Sequence, residues 1–140
     1  MLNNMNFTEA RANLSYLFDK VINEQQPVMV CRKREEALVI KRELLQQLLN
    51  GYRLSIEELA EDDGSITLGN DLLEIYVNAD TKEKALHELI QELNQYTEDY
   101  MLRLSLFLHA PNRKDHLPYV MRILLSESDN EIQDMLKFGE

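Results

Sequence analysis

Between residues 81 and 104, Leu86, Leu89, Ile90, Leu93, Tyr96, Tyr100, Met101 and Leu104 recur with the 3.6-residue period of an α-helix over several turns. Asp80 or Thr81 offers an N-cap oxygen at its start. This run predicts the main core helix of the second half of the chain. Ile66–Leu68 and Leu72–Val77, joined through Gly69-Asn70-Asp71, read as a hairpin beside it, and Asp62-Asp63-Gly64-Ser65 reads as a turn. Ser55-Ile56-Glu57-Glu58 has the form of a capping box, predicting a short helix there. Pro111 breaks the pattern after the long helix, Pro118 opens another helix through Leu125, and a last short helix is expected from Asp129 to Leu136.

The first half has a different rhythm. Ala10, Leu14, Leu17, Phe18, Val21 and Ile22 predict an amphipathic helix capped by Thr8 and ending near Glu24, stopped by Gln25-Gln26-Pro27. Val28–Cys31 and Ala37–Ile40 read as two strands around the charged segment Arg32–Glu36. A leucine-rich helix spans Arg42–Leu49, and Asn50-Gly51 predicts a left-handed C-cap that marks a boundary. The expected organisation is therefore α+β with two domains, 1–52 and 53–140, within the length of one ordinary domain or two small ones.

Charge divides in the same place. Residues 1–50 carry 7 Lys/Arg and 6 Asp/Glu, a net +1, whereas residues 51–140 carry 8 and 19, a net −11. A near-neutral half with clustered basic residues can approach a polyanion, while a strongly acidic half repels one and attracts a basic partner. Charge alone is equally satisfied by a well-solvated acidic surface. The N-terminus lacks a secretory pattern and no segment is long and apolar enough to span a bilayer, so a cytoplasmic location is expected. The single cysteine, Cys31, is read as a small buried strand residue.

No phosphate-binding glycine loop, nucleophile elbow or zinc spacing is present, so neither an enzyme, a cofactor nor a metal is expected. His87 reads as a surface residue. Asn112-Arg113-Lys114-Asp115-His116 forms a dense polar loop that offers an acid/base pair or, more simply, side chains that cap nearby helices.

The basic residues of the first half carry more information. With Thr8 as the cap, Arg11 falls in the first helical turn, where the macrodipole favours an anion instead. Free main-chain N–H groups at a helix start make a phosphate contact there reasonable. Arg32, Lys33 and Arg34 project from the hairpin turn and join the same candidate DNA-binding surface. One subunit supplies few phosphate contacts, so the surface gains force if a dimer duplicates it. Ordinary surface charges balanced by Glu35 and Glu36 are the competing reading.

Phe7-Thr8-Glu9-Ala10-Arg11-Ala12-Asn13-Leu14, Pro27–Arg32, and Ala37–Ile40 followed by a leucine-rich helix closely resemble the N-terminal module of the Phd/YefM antitoxins, over about residues 5–50. The resemblance implies a small α+β unit that forms a homodimer or higher oligomer and represses its own operon by binding operator DNA, with Arg11 and Arg32 facing the nucleic acid. The hairpin departs from the family in having neither Gly nor Asn at its turn. Ala79–Leu86 is similar to the strand-to-helix junction of HicB-type antitoxins. Ala110–Val120 resembles a signature of longer Phd-like antitoxins of RelE-type systems, which implies that the acidic half binds a basic RelE-like ribonuclease toxin and makes Asn112, Arg113 and His116 candidate partner contacts. An interaction module without DNA binding, and a hydrolase using the 112–116 loop, are the readings from other functional classes.

Overall fold

In the computed structural model, which describes residues 1–139, the long helix expected from the apolar period is α4 (Lys82–Leu102), capped by Thr81, whose hydroxyl accepts from the Lys84 amide at 3.2 Å. Its buried stripe is Ala85, Leu89, Ile90, Leu93, Thr97 and Tyr100. Arg103, at φ −122° and ψ 36°, interrupts the run, so Leu104 begins a separate short helix, α5 (Leu104–His109).

The layer beneath α4 is a four-stranded sheet. Its strands are β4 (Leu54–Ala60), β5 (Ile66–Asn70), β6 (Ile75–Ala79) and β7 (Leu136–Phe138), in the order β6-β5-β4-β7. All neighbours are antiparallel except β4 and β7. The helix expected at Ser55–Glu58 is therefore wrong. Leu54 and Ile56 are buried at the period of a strand, and β4 is paired on both sides, so tertiary pairing overrides the local capping signal. The Asp62–Ser65 turn is present, with Gly64 at φ 87° and Asp63 accepting from the Ser65 amide and hydroxyl at 2.9 and 2.6 Å. The next hairpin also exists, but β5 continues through Asn70 and the reversal falls later, where Glu74 adopts φ 57°. Asn70 is buried there, donating to the Ser55 carbonyl at 2.9 Å and accepting from the Leu73 amide at 2.8 Å.

Helices α6 (Leu117–Leu125, with Pro118 at its start) and α7 (Asp129–Asp134) complete this unit. The last expected helix stops short of Leu136, because Leu136–Phe138 pair with Leu54–Ile56 as a strand.

The preceding unit comprises β1 (Asn3–Asn6), α1 (Phe7–Ala12), α2 (Leu14–Asn23), β2 (Val28–Arg32), β3 (Glu35–Val39) and α3 (Arg42–Leu49). Its sheet runs β1-β2-β3, with β1 parallel to β2. Pairing with β2 draws residues 3–6 into a strand, so the helix starts earlier than expected and Asn6, not Thr8, is its cap. Asn6 and Glu9 bond reciprocally, the Glu9 amide donating to Oδ1 at 2.8 Å and Asn6 Nδ2 donating to the Glu9 carboxylate at 2.7 Å. Asn13, at φ −125° and ψ 46°, splits the single helix expected here into α1 and α2. Gly51 does not take the left-handed conformation expected of it. The two units divide between Leu48 and Leu49, a few residues before the expected boundary at 52.

Candidate functional site

Arg11 lies in the last turn of α1, where the helix dipole favours a cation, so its apparent misplacement disappears. It precedes α2, whose N-cap Asn13 makes no side-chain cap bond, leaving the first amides of α2 without an intrahelical acceptor. Arg11 and Arg32 line one groove of about 570 Å³ with the apolar Phe7, Leu14, Leu17 and Val30, and Glu35 and Glu36 line it too. The Arg32 guanidinium sits 5.1 Å from the Phe7 ring centroid and 3.9 Å from the exposed Glu35 carboxylate. Because Arg32 pairs with Glu35 in register, Lys33 and Arg34 alone form the turn, with Lys33 at φ 57°. A non-glycine residue in the left-handed region costs about 1 kcal/mol. The tight turn holds both cations exposed at the hairpin tip. Cys31 is half-buried rather than buried, its Sγ 3.8 Å from Asn4 Oδ1.

The 112–116 loop belongs to the second unit and divides in its exposure. Asn112 is exposed, whereas His116 is only 3% exposed, which corrects the expectation that its imidazole meets a partner directly. His116 Nδ1 lies 2.6 Å from the Tyr96 hydroxyl, and its ring also bonds the Leu72 backbone. Arg113 is half-buried and donates to the Tyr96 hydroxyl at 3.1 Å with its guanidinium over that ring, while the Tyr100 hydroxyl donates to the Arg113 carbonyl at 2.9 Å. Burial, reinforced by the Arg113 charge, lowers the His116 pKa below its ordinary value. This network pins the loop onto α4.

One surface escaped the sequence reading. Ser55, Glu57 and Leu59 of β4, Thr67 and Gly69 of β5, and Tyr76 and Asn78 of β6 share the sheet face opposite the buried Leu54, Ile56, Leu68 and Val77. The Tyr76 hydroxyl donates to Asp71, a bond that raises the tyrosine pKa, and Asp71 raises that of Glu57 by charge repulsion. The alternating pattern at 55, 57 and 59 was the available signal, and it was obscured by the Ser-x-x-Glu motif.

A family model describing an antitoxin of toxin–antitoxin, RelE/RelB systems, the PHD-like family, matches residues 1–138. The chain belongs to this antitoxin family. A crystal structure of an antitoxin from Syntrophomonas wolfei subsp. wolfei is 30% identical to it, with 99% of each chain covered and a TM-score of 0.89, so the two chains share the α+β architecture. No curated protein matches the antitoxin. Among the described residues, no helix of the antitoxin is long and apolar enough to cross a membrane.

Proposed function

We propose that the antitoxin performs two linked tasks. Residues 1–52 form a Phd/YefM-type module that dimerises and represses the operon by binding operator DNA, and residues 53–140 mask a RelE-like ribonuclease toxin by direct, stoichiometric contact in the cytoplasm. The observation that carries the first task is the convergence of Arg11 and Arg32 on one groove, beside a hairpin tip made of Lys33 and Arg34. A dimer would double these four cations and give the phosphate contacts that a single chain lacks. The second task is supported by family membership and by the net charge of −11 on residues 51–140, which suits a basic partner. In the 112–116 loop, Asn112 is the exposed candidate contact, and Arg113 and His116 act by holding the loop in place.

The test is an electrophoretic mobility shift on the DNA upstream of the operon. Arg11→Ala is expected to weaken binding about tenfold at low salt and to reduce the salt slope by roughly one per chain. Unchanged affinity and slope would instead favour an acidic interaction module without DNA binding, the reading to which the overall charge of −10 lends support.

A further inference from the structure

We propose that the outer face of the β6-β5-β4-β7 sheet, centred on Tyr76 and the neighbouring carboxylates of Glu57 and Asp71, is the docking surface on which the antitoxin receives an arginine side chain of its toxin. This deepens the toxin-masking reading and rests on it. Helix α4 covers the opposite face, whereas on this one Leu59 is 58% and Tyr76 56% exposed, an unpartnered apolar and aromatic surface. Gly69 shapes it. The Tyr76 ring lies directly over Gly69, where a Cβ would stand 2.1 Å from Tyr76 Cδ1, and Glu57 completes the same cross-strand row. The ring is thereby held against the backbone with much of its surface open to solvent. Asp71 accepts from the Tyr76 hydroxyl at one edge of the row.

The charges select the occupant. Asp71 and Glu57 repel one another, and the neighbouring Lys82 is engaged elsewhere, 2.8 Å from Glu58. Lys137 pairs with Ser55, in a different row of the face. A guanidinium matches this combination, because its plane stacks on an aromatic ring while its forked N–H groups reach the two neighbouring carboxylates. A lysine would satisfy only the charge, and a nucleic acid is repelled by its sign.

The test uses the full-length antitoxin and the purified basic protein encoded in the adjacent reading frame, with calorimetry of their binding at two salt concentrations. The double variant Glu57→Gln/Asp71→Asn is expected to bind about 30-fold more weakly. The control Glu88→Gln/Glu92→Gln, which removes the same charge from exposed positions on α4, is expected to bind as wild type. Removing the repulsion should leave the melting temperature unchanged or raised. If it falls instead, Tyr76→Val provides the second reading, with a similar loss of affinity expected. A hexa-arginine peptide should bind wild type about fivefold more tightly than hexalysine, and the difference should vanish in the double variant. Equal losses in the variant and the control, or none in either, with the toxin still bound by wild type, would overturn this inference while leaving toxin masking intact. Absence of any wild-type complex would overturn both.

Discussion

The first unit buries only Ala10, Leu17, Val21 and Val28, whereas the second buries thirteen apolar residues from its sheet and helices in one cluster. The contrast sharpens at their surfaces. Leu14, Tyr16 and Phe18 on α2, and Leu38 on β3, are large apolar side chains left exposed in the smaller unit, and α3 has no buried residue. A segment of about fifty residues buries too little of its surface to be comfortably stable alone, and oligomerisation is the usual remedy. The second unit has the layered architecture of a self-sufficient domain, with a long helix laid on a sheet. If the first unit dimerises as proposed, its dimerisation and folding should therefore be coupled, while the acidic second unit should fold independently of concentration.

The largest effect that tests this contrast is expected from Leu93→Ala. Leu93 is fully buried in the middle of α4, and truncation should cost about 2–5 kcal/mol, read as a lower urea midpoint for the second unit. An equal loss in the transition of the first unit would show that the two do not unfold separately. Next in size is Leu14→Lys. At 63% exposure this change should cost less than about 0.5 kcal/mol in an isolated chain. If the exposed α2 face is the dimer interface, the dimer dissociation constant should instead rise at least about tenfold, because a charge is forced into an apolar contact, and sedimentation analysis would show monomers at micromolar concentration. A dimer unaffected by Leu14→Lys would place the interface elsewhere.

What the sequence disclosed follows the range of the interactions involved. The Thr81 cap, the α4 period, the Gly64 turn and the Pro118 helix start are set by residues within a few positions of one another, and each was legible. β7 was not, because three residues become a strand only through Leu54–Ile56, about eighty positions away. The same distant pairing converts Ser55–Glu58 from a helix start into β4, and with that error the outer face bearing Glu57 and Tyr76 passed unseen. At Asn6 the cap was missed because parallel pairing with β2 moved the helix start. Arg11 and Arg32 became candidates by their positions in a motif, and Lys33 and Arg34 by their proximity to Arg32, but the turn that presents Lys33 and Arg34 depends on a left-handed residue that no local glycine announced.

The smallest of these effects concerns pH and belongs to the second unit alone. His116 is buried against Tyr96 and Arg113, and its pKa is lowered on folding, so the unfolded chain binds the proton more readily. The stability supplied by the neutral imidazole is fully present above the unfolded value of about 6.5 and is lost as pH falls from there toward the folded value. Between pH 7 and 5 the wild-type second unit should therefore lose melting temperature faster than His116→Gln, whose side chain has no proton to gain, while the transition of the first unit should respond identically in both proteins. Parallel pH profiles for the second unit would mean that His116 stays neutral in both states across this range. A difference that also appeared in the first unit would contradict their thermodynamic independence, because Tyr96, His116 and Arg113 all belong to the second unit.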